Sequence, residues 1–359
     1  LAGVGAAAGP LTPAPIAGTL VGMLAPTAHA PGSPTVQQTE SDHDGATSDR
    51  TAALVADVRE GLGSRPWTLP PKWLYDARGS ELFDRITRLP EYYPTEAERE
   101  VLVARADEVV AACGADTLVE LGSGSSDKTT ALLDAMRDAG HLRRYVGFDV
   151  SRDALQGAAR DLRRRYPGLE VELVEGDFDH DLHRIPHHGH QLVAFLGGTI
   201  GNYEPGARGR FLVDVAATLG PDDAFLLGTD LVKDEARLVA AYDDAHGVTA
   251  AFNRNVLEVL RRELGAELDP EGWEHRAVWD ADNEWVEMRL LATRDQVVRI
   301  PAADLELHVE AGEHVRTEVS AKFRPERIDA ELAAAGMRTS ARWADARGDY
   351  AVTLAVRTP

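Results

Sequence analysis

Apolar residues in the middle of this chain come in short unbroken runs, and amphipathic stretches separate them. TLVEL (117–121), RYVGFDV (144–150), LEVELVEGDF (169–178), QLVAFLGGTIGN (191–202) and DAFLLGTD (223–230) read as five strands. The segments 127–139, 151–165 and about 205–219 carry helical periodicity between them. Strands that are apolar throughout, joined through helices, predict a parallel sheet covered on both faces. Ligands on such sheets sit beyond the carboxyl ends of the strands.

The pattern differs on either side of this block. TAALVADVREGL (51–62) predicts an amphipathic helix, with Ser48 and Asp49 as candidate caps. The stretch 75–100, YDARGSELFDRITRLPEYYPTEAERE, is helical in its middle and broken at Pro90 and Pro94. Thr95 with Glu98 has the spacing of a capping box. Beyond Asp230, residues 234–265 predict two helices broken near Gly247, and 273–320 predict antiparallel strands. Pro325 opens a last helix to about Ala335 with Gly336 as its stop, and MRTSARWAD and YAVTLAV form a closing hairpin around Gly348. The α/β unit therefore pauses near residue 231 and resumes near 323, as if a second lobe were inserted before its last helix and hairpin.

Composition narrows the possible partners. The chain has 359 residues, a formal net charge of −21 and a single cysteine, Cys113. That much negative charge repels a phosphate backbone, so nucleic acid is not an expected partner. One cysteine allows neither an internal disulfide nor a multi-cysteine metal site, which fits a reducing cytoplasm. No apolar run reaches the roughly 18 residues of a membrane helix. Residues 1–48 are rich in Ala, Pro and Gly and read as a disordered extension. Within them, IAGTLVGMLAPTAHA (16–30) has an apolar run but no Lys or Arg before it, unlike a signal peptide.

The turn after the first strand reads ELGSGSSD (120–127). Its glycines let backbone approach a ligand, and the following helix offers N–H groups. A dinucleotide fingerprint would need glycine where Asp127 stands. Asp149 ends the second strand, placed for ribose hydroxyls, which NAD and S-adenosylmethionine share. Glu120 beside the turn, GDF (176–178) after the third strand and the closing hairpin favour the sulfonium cofactor. The last of these matches the seven-stranded, Rossmann-like class I methyltransferases.

Longer motifs are more specific. YDARGSELFDRITRLPEYYPTEAE, ELGSGSSDKT, FLGGTIGNYEP, AAYDDAHGVTAAFNRN and TEVSAKF occur in the order and spacing of one family. From about Tyr75 to Lys322 the chain resembles the histidine-specific N-alpha-methyltransferases of ergothioneine biosynthesis (EgtD). The resemblance implies three methyl transfers from S-adenosylmethionine to the α-amine of L-histidine, giving the trimethylated betaine hercynine. It implies cofactor contacts at Gly122, Lys128, Asp149, Asp177 and Phe178, with Lys128 on the methionine carboxylate. Asn202 and Tyr242 match positions for the histidine carboxylate, and Tyr75, Tyr92 and Gly197 match the surroundings of its amine. Met288, Glu318 and Ser320 match the imidazole end. Glu318 and Ser320 lie two apart on an expected strand and so share a face. Tyr75 is the candidate to orient the attacking amine. The one departure is Gly198, where the family pattern has serine. On this reading the fold is a class I methyltransferase core (96–230 and 323–359) with an α+β substrate-binding domain inserted over 231–322 and a helical part of that domain over 49–95. A monomer is expected, with no metal.

Other stretches of the sequence fit a structural role. The run HDLHRIPHHGH (180–190) is dense in histidine, but it precedes the fourth strand at the wrong end of the sheet, so a solvated loop is expected. Trp273, Trp279 and Trp285 are expected to pack the inserted sheet. Acidic stretches such as DLVKDEARL from Asp230 are expected to be solvated. Competing functions are the same scaffold acting on another amino acid or amine, a nicotinamide-dependent oxidoreductase, and a non-catalytic ligand-binding protein.

Overall fold

In a computed structural model of the protein, residues 41–122 and 128–358 are described. Three helices come first: α1 (Ser41–Leu62), α2 (Ala77–Ile86) and α3 (Pro94–Cys113). A block alternating strand and helix follows: β1 (Thr117–Leu121), α4 (Thr130–Asp138), β2 (Arg144–Asp149), α5 (Arg152–Arg165), β3 (Glu170–Glu175), β4 (Gln191–Phe195), α6 (Pro205–Thr218) and β5 (Ala224–Asp230). Next come α7 (Glu235–Tyr242), α8 (Val248–Leu264) and five strands. These are β6 (Trp273–Asp280), β7 (Trp285–Ala292), β8 (Gln296–Ile300), β9 (Leu305–Val309) and β10 (His314–Ala321). The chain closes with α9 (Pro325–Ala334), β11 (Met337–Ala344) and β12 (Tyr350–Arg357).

Seven strands form one sheet in the order β11-β12-β5-β4-β1-β2-β3. β1 to β5 run parallel, and β12 lies antiparallel between β5 and β11. Both faces are covered. Val119 and Leu121 of β1 belong to one apolar cluster, and Leu118 belongs to the other. This is why the central strands read as unbroken apolar runs. The order reverses between β1 and β4, which opens a crevice at their carboxyl ends. This is the expected class I methyltransferase architecture.

The strands between β5 and α9 divide into a three-stranded sheet, β10-β7-β6, and a two-stranded one, β8-β9. Their apolar faces share a core with α1, α2, α7 and α8, including Leu54, Val58, Trp73, Phe252, Val256 and Leu290. Trp273 and Trp279 pack there, whereas Trp285 joins the core under the seven-stranded sheet.

Three local expectations fail. Helix α1 begins at Ser41, so the extension expected to be disordered to residue 48 is helical from there. No proline interrupts the sequence between Pro34 and Pro66; residues 1–40 lie outside the described part. β4 stops at Phe195, and the glycine-rich remainder turns into a short 3-10 helix, Thr199–Asn202. Helix α3 opens at Pro94 with Tyr93 as its N-cap and no side-chain cap bond, so Thr95 and Glu98 form no capping box.

Candidate active site

The residues expected to hold a cofactor lie where β1, β2 and β3 end. Gly122 follows β1 with φ +76°, and its N–H donates to the Phe148 carbonyl at 2.8 Å. A Cβ at Gly122 would stand 3.4 Å from the Phe178 ring. Phe178 stacks on Phe148, with centroids 5.6 Å apart, and meets Phe195 edge-on at 5.5 Å. Asp149 closes β2 and accepts the Ser151 N–H at 2.8 Å, and the Asp177 carboxylate accepts the Asp179 N–H at 2.9 Å. A bare glycine beside an aromatic ring, with carboxylates at neighbouring strand ends, suits an adenosine. The turn residues 123–127, with Asp127 and the argument drawn from it, lie outside the described residues.

Glu120 just precedes the turn in sequence. It is buried in β1, and its carboxylate takes the Thr129 hydroxyl at the start of α4 and the Tyr145 hydroxyl at 2.6 Å. The carboxylate beside the cleft is Glu98 of α3, whose role the sequence reading missed. It is 0% exposed and accepts the Gly197 N–H at 2.8 Å, the Tyr350 hydroxyl at 2.7 Å and the Lys128 ammonium at 2.5 Å. Two successive left-handed glycines, Gly197 (φ +79°) and Gly198 (φ +70°), make the turn that aims this N–H at Glu98. Glycine at 198 instead of the family's serine suits that backbone.

The substrate-side residues gather around β10. Glu318 lies opposite Met288 of β7 in the sheet register, and Glu318, Met288 and Ser320 are all buried. The Ser320 hydroxyl is 2.8 Å from that of Tyr242, which ends α7. Asn202 donates from Nδ2 to the Val319 carbonyl at 2.9 Å and also hydrogen-bonds the Glu318 carboxylate. Its 3-10 helix lies so close to β10 that a Cβ on Gly201 would be 2.9 Å from the Ala321 carbonyl oxygen.

Aromatic rings wall this space. Tyr75 meets Phe252 at 5.2 Å and Phe83 at 5.3 Å, Phe83 meets Tyr92 at 6.1 Å, and Tyr92 meets Tyr242 at 6.0 Å. Tyr75 follows a short 3-10 turn and precedes α2, whose capping residue Asp76 accepts from Asn255 at 2.7 Å and Arg262 at 2.9 Å. These bonds tie Tyr75 to α8.

Burial dominates the electrostatics. It pushes the Glu318 carboxyl up to about 7, with the Asn202 hydrogen bond and the Lys322 charge opposing it. Desolvation, then Glu318, hold the Tyr75 phenol well above its ordinary range, although its ring is an open wall 39% exposed. Desolvation also raises the Tyr92 phenol, and the neighbours that add to it include Tyr242, Glu318 and Glu98. Tyr92 thus packs beside Tyr242 and lies within electrostatic reach of both Glu318 and Glu98.

Beneath Ser320 lies a charged layer that the sequence reading also missed. Asp230, expected in a solvated stretch, is buried with Lys322 at 2.8 Å, Lys233 in direct contact and the Tyr93 hydroxyl at 2.9 Å. Burial alone would raise its carboxyl; the two ammonium groups outweigh that and lower it. One signal for this layer was present: in TEVSAKF, Lys322 follows Glu318 and Ser320 at the period of a strand face.

The histidine run spreads over separate partners, His187 on Asp223 at 2.7 Å and His188 on Glu172 at 3.3 Å. Among the described residues no cluster of His, Cys, Asp and Glu suits a metal, and no helix is long and apolar enough to cross a membrane.

The seven-stranded sheet, with a bare glycine, Phe178 and two carboxylates at its strand ends, has the architecture of a class I methyltransferase. The sequence profile of a family described as histidine-specific methyltransferase, SAM-dependent, matches residues 54–357, and the chain belongs to that family. It is 57% identical over 312 residues to the histidine N-alpha-methyltransferase of Mycolicibacterium smegmatis, covering 87% of this chain and 97% of that one. It is 55% identical over 305 residues to the protein of that name from Mycobacterium tuberculosis, covering 85% and 95%. A more distant relative, ergothioneine biosynthesis protein 1 of Neurospora crassa, is 30% identical over 286 residues, which is 77% of this chain and 32% of that protein.

Proposed function

We propose that this enzyme methylates the α-amine of free L-histidine three times, giving hercynine for ergothioneine biosynthesis. The observation that carries the reading is the group of Glu318, Ser320 and Tyr242, all buried, with half-buried Asn202 on the Glu318 carboxylate and Tyr92 against the Tyr242 ring at 6.0 Å. Residues 49–95 and 231–322 form the histidine-binding part, and 96–230 with 323–359 the cofactor part. We read the enzyme as a monomer, and the single cysteine suits a reducing cytoplasm.

S-adenosylmethionine supplies an electrophilic methyl on a sulfonium. This chain's task is to present a neutral amine, in line and away from water. The Glu318 carboxylate accepts the imidazole N–H, while Asn202 and Tyr242 hold the carboxylate, so the amine is left toward the cofactor side. The Tyr75 phenol, held well above its usual range, stays protonated. It therefore orients the amine by hydrogen bonding and does not remove its proton. Ring faces of Tyr75 and Tyr92 stabilise the growing cation by about 0.5–2 kcal/mol each.

Calorimetry with a panel of free amino acids tests the substrate. Histidine alone is expected to bind well, and Glu318→Ala is expected to weaken histidine far more than S-adenosylhomocysteine. Equal losses for both ligands would refute the assignment. Tyr75→Phe is expected to slow the methylations, and unchanged rates at all three steps would remove Tyr75 from the chemistry.

A further inference from the structure

Three buried polar side chains that the chemistry above does not use link two walls of the substrate side: Asn253 of α8, His275 of β6 and Thr317 of β10. Asn253 Nδ2 lies 3.1 Å from the Arg289 carbonyl oxygen and 2.8 Å from His275 Nδ1. Its Oδ1 meets the Thr317 hydroxyl, which also lies 3.1 Å from the Met288 carbonyl oxygen. On the far side of the ring, His275 Nε2 is 2.8 Å from the Tyr242 carbonyl oxygen. Tyr242 is the last residue of α7, so that carbonyl has no partner within its own helix.

One placement of protons satisfies all these contacts. A backbone carbonyl can only accept, so Arg289 must face the amide nitrogen, and Oδ1 is left to accept from Thr317. With an amide N–H aimed at it, His275 Nδ1 must be bare, and the ring's single proton sits on Nε2, where it donates to Tyr242. A cationic ring would set a second N–H against the amide. Burial acts the same way, lowering the His275 pKa against the opposing pull of Asp243 and Asp244. Thr317 stands where β10 slips register against β7, between Arg316 and Glu318. Bulges of this kind re-aim neighbouring side chains, and the neighbour here is Glu318.

We propose that Asn253 is a positioning residue for the substrate side: it locks His275 in the Nε2–H tautomer that anchors Tyr242, and it holds the Thr317 bulge that aims Glu318. One amide thereby fixes the spacing between the group assigned to the substrate carboxylate and the group assigned to the imidazole. With Tyr242 or Glu318 loose, either could meet its own partner but not both at once, so the loss falls on histidine and spares the cofactor. The proposal rests on the histidine reading above and adds what keeps its two contacts in register.

Calorimetry with histidine and with S-adenosylhomocysteine, joined to nitrogen NMR of the His275 ring, tests it. The native protein is expected to show a bare Nδ1 and a protonated Nε2. Asn253→Ala and His275→Phe are each expected to weaken histidine about tenfold or more, with S-adenosylhomocysteine held to within about twofold. His275→Gln keeps a donor for the Tyr242 carbonyl and is expected to recover histidine binding to within about threefold of native. A native proton on Nδ1, or histidine binding that survives both Asn253→Ala and His275→Phe, would overturn the proposal. Equal loss of both ligands in Asn253→Ala and in His275→Gln would assign these residues to the fold alone and overturn it too. A native protein that binds S-adenosylhomocysteine but no histidine would sink the reading beneath the proposal, an outcome distinct from native binding that the substitutions leave intact.

Discussion

Glu318 combines a binding role with a cost in stability. Its carboxyl is raised from 4.5 to about 7 in the folded protein, burial being the main cause. Between those values the folded state holds a proton that the unfolded chain has released. Stability from this group is therefore complete below the unfolded pKa and is lost as pH rises through about 7. At 1.36 kcal/mol per pH unit the loss is about 3 kcal/mol. Glu318→Gln should thus melt higher than the native protein near pH 8, with the gap closing toward pH 4, while histidine binding falls. A variant less stable than the native protein at pH 8 would contradict the buried, uncompensated carboxylate. The family motifs made Glu318, Ser320 and Tyr242 legible as candidates. Asp230 and Glu98 were misread, because in sequence an acidic residue looks alike on a solvated face and in a buried cation's shell. Partners far along the chain complete their shells: Lys322 for Asp230, beside the nearby Lys233, and Gly197 and Tyr350 for Glu98.

Two connections between elements position the site. The 3-10 helix carrying Asn202 rests on β10 at a distance only glycine allows, with the Ala321 carbonyl oxygen 2.9 Å and its nitrogen 3.2 Å from where a Gly201 Cβ would be. Gly201→Ala is expected to push these elements apart and raise the KM for histidine severalfold, leaving S-adenosylhomocysteine affinity near the native value. Losing both affinities together would show a general folding defect. The second connection is Glu98, which joins α3 to the turn after β4, to β12 and to Lys128. Glu98→Ala leaves those donors without their acceptor, and denaturant unfolding should show a loss of about 3 kcal/mol or more. A change under about 0.5 kcal/mol would mean that solvent replaces it freely. The strands and helices themselves were readable because apolar period and turn chemistry are local. The lost capping box and the short β4 were not. A Thr–Glu spacing does not reveal that Pro94 starts the helix two residues earlier, nor that two glycines end the strand.

The seven-stranded sheet is parallel except for β12, and the strands inserted between β5 and α9 carry Glu318 and Ser320. The order of elements made that insertion visible before any contact was known. The division of its strands into sheets of three and two was not visible, since alternation marks a strand without naming its neighbour. The chemistry depends on bringing a sulfonium methyl and an uncharged α-nitrogen into one dry space. Mass spectrometry of free L-histidine, incubated with the protein and S-adenosylmethionine, reads that outcome from the product. Histidine heavier by three methyl groups, all on the α-nitrogen, is the expected result. Histidine recovered unchanged, or methylated on its ring, would contradict it.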